Sequence, residues 1–170
     1  KTKGDQKLAY HNLAHTESVV SNAGQIARHY QLGEKDFFIV MTAAWFHDIG
    51  YYSGGAEDHE MRGADIAAKF LKENQVDDET IQSMRQCILA TRMPQSPNSL
   101  IEQIVCDADL FHFGTDEFAV RNKLMRKEAE SRLGTKIAKS DWRKSTIRFM
   151  EAHHFQTDYG RHLLEDKKKQ

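Results

Sequence analysis

The chain holds 170 residues, with 24 Lys and Arg against 25 Asp and Glu and a formal net charge of −1. That balance exerts no overall pull on nucleic acid or an acidic membrane, so a nucleic-acid partner is unsupported, although Lys167-Lys168-Lys169 is locally basic. With 39% hydrophobic and 29% charged residues the chain can bury a core beneath a charged exterior, which excludes intrinsic disorder and points to one domain over 1–170.

The opening Lys1-Thr2-Lys3-Gly4-Asp5 lacks an initiator Met and an apolar signal core, as expected of a domain or processed piece of a longer chain. Asn12 to Tyr30 then spaces Val19, Val20, Ala23, Ile26, Ala27 and Tyr30 by threes and fours, predicting an amphipathic helix that stops at Gly33. Lys35 to Ile49 is apolar nearly all round, as a central buried helix would be, with Trp45 and the phenylalanines read as core. Its runs Phe37 to Met41 and Ala43 to Phe46 fall far short of the roughly 20 residues of a membrane span. Gly50 to Asp58, with Gly54-Gly55, reads as a loop. Further helices are predicted from near His59 through Leu71 and from Asp78 to Thr91, before a loop marked by Pro94 and Pro97. Asn98 or Ser99 caps the next, through Leu110, and others follow at Asp116 to Leu133, Ser140 to Ala152 and Asp158 to Lys168. No stretch alternates long enough to demand a strand, so the fold class is all-α, a single helical bundle. Cys87 and Cys106 form neither a CxxC pair nor a disulfide framework; as buried thiols they suit a reducing cytoplasm.

Metal-ligand side chains concentrate at Tyr10-His11-Asn12-Leu13-Ala14-His15, His47-Asp48, Asp58-His59-Glu60 and Asp107-Ala108-Asp109. The doublet His47-Asp48 is unusual because it ends the most hydrophobic helix. A buried charge there is costly unless it is paired or bound to an ion. Imidazole and carboxylate ligands suit Mn, Mg, Fe, Co, Ni or Zn, and a bundle core can gather them from several helices. His11 and His15, four apart, are expected to share one helix face. His29, His112, His153, His154 and His162 have no motif support and read as surface or satisfied core residues. Arg62 and Arg92 are candidates for phosphate or solvated side chains, and Trp142 is read as core.

His15, then His47-Asp48, then a late aspartate resembles the H…HD…D signature of the HD-domain metal-dependent phosphohydrolases, over roughly residues 8 to 115. The resemblance implies an all-helical domain with its metal site in the bundle core and a divalent cofactor. It makes His15, His47, Asp48 and Asp109 the metal ligands. The resemblance prefers Asp109 to Asp107, because the family's last aspartate usually reads Ala-Asp before an apolar or basic residue; residues two apart on a helix point to different faces, so only one should reach the ion. Tyr10-His11-Asn12 with His15 is also similar to the opening motif of the cyclic-nucleotide phosphodiesterases, which makes His11 a candidate general acid. Asp48 or Asp109 would orient the attacking water. His59, Glu60 and Asp107 are candidates for a supporting shell or a second, loosely held ion, with Asp107 alternatively a helix-capping carboxylate. The guanosine-tetraphosphate hydrolases of the superfamily follow the doublet with a Glu-Asp pair, which Ile49-Gly50-Tyr51-Tyr52 does not supply.

The activity expected is hydrolysis of a small phosphomonoester or phosphodiester, nucleotide-like, by a soluble enzyme with no membrane partner. The alternatives are a non-catalytic metal-binding regulatory module of a signalling protein and a di-iron oxygenase of the same fold. Oligomeric state is not legible.

Overall fold

A computed structural model describes residues 8–169; the opening segment read above as the start of a processed piece lies outside them. Helices follow one another as α1 (Leu13–His29), α2 (Glu34–Phe46), α3 (Gly50–Gly54), α4 (His59–Glu73), α5 (Asp78–Ala90), α6 (Leu100–Asp109), a 3-10 turn over Phe111–Gly114, α7 (Phe118–Leu133), α8 (Lys139–Ala152) and α9 (Asp158–Lys168). No strand occurs among the described residues, and none of their helices is long and apolar enough to cross a membrane.

Several helix starts are written into short polar signals. Asn12 caps α1, its side-chain oxygen accepting from the His15 amide at 3.1 Å while its amide group donates to Ala9 O. Asp77 caps α5 through the Thr80 amide, and Ser99, not Asn98, caps α6. Glu102 returns to the Ser99 hydroxyl and the Asn98 amide at 2.9 and 2.8 Å, a variant of the capping box.

The main core gathers α1, α2, α4, α5 and α6 around Ile26, Val40, Ala67, Met84, Ile88 and Ile104. α2 packs against four of these partners, as its all-round hydrophobicity predicts. It nevertheless ends at Phe46, three residues early, and Trp45 is 46% exposed instead of buried in the core. A second cluster, Leu110, Phe113, Phe155 and Leu164, seats α9 against the 3-10 turn. Cys87 and Cys106 are buried free thiols.

The loop expected over Gly50 to Asp58 is corrected: its first half is the short helix α3. Gly50 explains it, because a Cβ there would sit 2.0 Å from the His59 carbonyl oxygen. Its glycine is a close-packing residue, not a loop former. Arg62 ties the remainder, donating to the carbonyls of Gly50, Gly55 and Glu57.

Candidate metal centre

Four side chains meet where α1 begins, α2 ends and α6 ends. His15 Nε2 lies 3.3 Å from both Asp48 Oδ2 and Asp109 Oδ1. His47 Nε2 lies 3.1 Å from Asp48 Oδ2 and 3.6 Å from Asp109 Oδ1. His15, His47 and Asp109 each offer a ligand atom within 4.8 Å of the others. The local chemistry aims them. His47 Nδ1 donates to Ala44 O at 2.8 Å, taking up a carbonyl at the end of α2 and leaving Nε2 as the free lone pair. His15 is aimed by the first turn of α1 that Asn12 caps.

These atoms are short of protein partners. His15 Nε2, His47 Nε2 and Asp48 Oδ2 are buried and make no hydrogen bond of sound geometry. Buried polar atoms left this way cost stability unless something satisfies them together. Two imidazole nitrogens and two carboxylates converging on one point fit a divalent cation.

The electrostatics are those of an ion site. Burial pulls the His15 and His47 pKa values down, but the carboxylates of Asp48 and Asp109 more than reverse this, so both end raised, His47 strongly. Burial alone would raise the two carboxylates, yet the histidines beside them hold both below the ordinary range. A divalent ion held by His15 and His47 would take the place of their protons.

Around this centre lie the other residues singled out by the sequence. His59 Nε2 stands 3.5 Å from Asp48 Oδ1, the oxygen facing away from the centre, and its Nδ1 donates to Ala56 O. Glu60, buried, lies 3.4 Å from His59 Nδ1. Asp107 takes the capping role, away from the metal side. Its Oδ1 accepts from the Gln156 amide at 2.7 Å, and its Oδ2 accepts from the Thr157 amide and hydroxyl at 2.8 and 2.6 Å. The facing argument puts it on the other side of α6, where it anchors the entry to α9.

His11 also departs from its expected setting, because α1 starts at Leu13 and His11 precedes the Asn12 cap. Its ring stacks on Tyr51, centroids 4.0 Å apart. Its Nδ1 pairs with Glu128 Oε1, and Glu128 Oε2 accepts from the amides of Tyr10 and His11 at 2.7 and 3.1 Å. Sequence reasoning missed Glu128, which has no local motif and lies on α7.

A cavity of about 290 Å³ reaches Asp48 and Asp109, with His11, His59 and Glu128 in its lining. It includes Arg132 of α7. Arg92 instead pairs with Asp58 and Arg62 with loop carbonyls, so neither lies free for an anion.

The class of protein is thereby set: an all-helical bundle whose core gathers histidine and carboxylate groups with the chemistry to hold a divalent cation. The HD-domain family matches residues 12–114, and the chain belongs to the HD-domain family. In fold the chain is similar to the crystal structure of a predicted HD superfamily hydrolase from an uncultured Thermotogales bacterium. The TM-score is 0.64 and the identity 24%, over 97% of this chain and 78% of that one. A search of curated proteins returns no match.

Proposed function

We propose that the chain is a phosphohydrolase that cleaves the ester bond of a small phosphorylated molecule, with His15, His47, Asp48 and Asp109 holding the divalent ion. The observation that carries this reading is the convergence of buried, unpartnered His15 Nε2, His47 Nε2 and Asp48 Oδ2 beside Asp109. When bound, the ion supplies an acidified water and neutralises charge on a phosphoryl oxygen.

The chain's own residues do the rest. Asp48 and Asp109 accept hydrogen bonds that orient the attacking water. His11 gives a proton to the leaving alkoxide from Nε2, since Nδ1 is committed to Glu128. Glu128 positions the imidazole, and Tyr51 backs its face. His59 and Glu60 flank Asp48 and would steady a second ion or its waters. The buried thiols accord with the reducing cytoplasm we propose as the location.

Protein purified without chelator tests the reading by elemental analysis and an assay panel of nucleoside monophosphates, cyclic nucleotides and aryl phosphates. Hydrolysis that EDTA abolishes and Mn²⁺ or Mg²⁺ restores supports it. His47→Ala should lose both the metal and the activity. Substrate-dependent oxygen uptake, or bound metal without turnover, overturns it in favour of an oxygenase or a regulatory module.

A further inference from the structure

The cavity over the metal centre is walled partly by helices that lie beyond residue 114, where the HD match ends. Met125, Ala129 and Arg132 recur along α7 at intervals of four and three, which keeps them on one helix face. Trp142 and Phe149, two turns apart on α8, line the same cavity. The Trp142 indole N–H is already committed to Asn122 Oδ1 at 2.9 Å, so only the indole ring surface is left for a ligand. Met93 and Leu110 add to the apolar lining. The polar groups Asp48, Asp109, His11, His59 and Glu128 belong to the metal end. Arg132 is the single Lys or Arg of the lining, and it makes no ion pair among the described residues.

We propose that the substrate is a phosphate monoester of a small, planar apolar group, and that Trp142, Phe149 and Met125 select it. The proposal rests on the phosphohydrolase reading above and narrows its substrate. Size supports it: about 290 Å³ lies just below the usual span of ligand pockets, about 300 to 1,000 Å³. One ring with its phosphate fits such a space. Charge supports it too, because one guanidinium matches one phosphate, and the acidic residues of the metal end would repel a polyphosphate chain. The lining sets the preference. Sugar hydroxyls placed against Met125, Trp142 and Phe149 would lose water without gaining partners, whereas a flat apolar ring buries its surface and stacks.

The test uses phosphonates, which bind as phosphate esters do but are not hydrolysed. Trp45 is the only other tryptophan and lies exposed on α2, so Trp45→Phe leaves Trp142 as the sole fluorescent reporter. The metal-loaded full chain is titrated with phenylphosphonate and methylphosphonate. Phenylphosphonate should bind about tenfold tighter and quench Trp142, the ordinary gain from one aromatic stacking partner. By calorimetry, Trp142→Ala should lose that tenfold for phenylphosphonate and leave methylphosphonate unchanged. Trp142→Phe, which keeps a flat face, should retain the preference and serves if the alanine variant fails to fold. Equal affinity for the two probes, or equal losses for both in Trp142→Ala, overturns the proposal while the phosphohydrolase reading stands. If neither phosphonate binds protein of verified metal content, that reading falls and the substrate proposal falls with it.

Discussion

Two aspartates two positions apart perform unrelated work, and the difference is measurable. Asp109→Asn should empty the metal centre while leaving the fold intact by circular dichroism, because Asp109 Oδ1 faces His15 and His47. Asp107→Ala should keep metal but strand the amides of Gln156 and Thr157, at about 1–3 kcal/mol for each buried donor left unpaired. Urea melts and elemental analysis of both variants decide it; metal loss from Asp107→Ala at matched folding would reverse the assignment. His11 gives a second contrast. His11→Ala should retain metal yet lose roughly 10²–10⁴-fold in kcat on esters with poor alkoxide leaving groups. Its loss on p-nitrophenyl esters should be far smaller, because that leaving group departs unprotonated. Glu128→Gln should reproduce the pattern more weakly; equal losses on both ester classes would reject the acid role. His11 was legible as a candidate because Tyr-His-Asn-x-x-His is a local word. Glu128 was not, because its pairing with His11 joins the segment before α1 to α7 and no spacing rule connects them.

Among the elements, those with strong local periodicity or caps were readable, and those created by tertiary contact were not. α9 runs from Asp158 to Lys168 as the pattern predicted, and Asn12, Asp77 and Ser99 mark their helix starts chemically. α3 was hidden because Gly-Tyr-Tyr-Ser-Gly carries loop-forming residues. It is helical because Gly50 lets the chain lie against the start of α4, where His59 and Glu60 sit. Gly50→Ala should therefore force α3 and α4 apart, costing about 1–3 kcal/mol by overpacking. The cost should appear as a lower urea midpoint in the metal-free protein, and a variant as stable as the parent would show that the junction yields freely. α7 and α8 illustrate the opposite limit. α8 has no buried residue and α7 only Glu128, so their apolar positions read as core from spacing alone although several line an open cavity.

Across the whole molecule, buried neutral histidines impose a pH limit. Burial and the nearby charge of Lys168 push the His153 pKa down to about 4. Burial, with His15 nearby, takes His112 down to about 3. In the unfolded chain each titrates near the ordinary 6.5. Between pH 6.5 and about 4 the unfolded chain thus holds more protons than the folded one, and stability is lost as pH falls. His15 and His47, whose values are raised in the metal-free fold, work in the opposite direction, so the cleanest reading is a difference between proteins. Both ring nitrogens of His153 are buried without partners, among Phe113 and Phe155. His153→Phe should match or exceed the parent in stability at pH 7 and gain on it by about 2 kcal/mol on going to pH 5. An unchanged difference across that range would mean that His153 titrates alike in the folded and unfolded states.

The anchoring of α9 by Asp107 joins the metal to the far end of the chain. One helix, α6, delivers Asp109 to the centre and, on its other side, Asp107 to the amides of Gln156 and Thr157. Opening the α9 junction would leave Asp107 buried and unpaired and free the last turn of α6 to fray, which misplaces Asp109. Ion binding and docking of α9 are then thermodynamically linked: a ligand that favours the closed form suppresses the open one by mass action. Adding Mn²⁺ should therefore slow amide hydrogen exchange at Gln156 and Thr157, residues that contact no ion, and Asp109→Asn should abolish that protection. Exchange at these two amides that is indifferent to the metal would show that the two faces of α6 open independently.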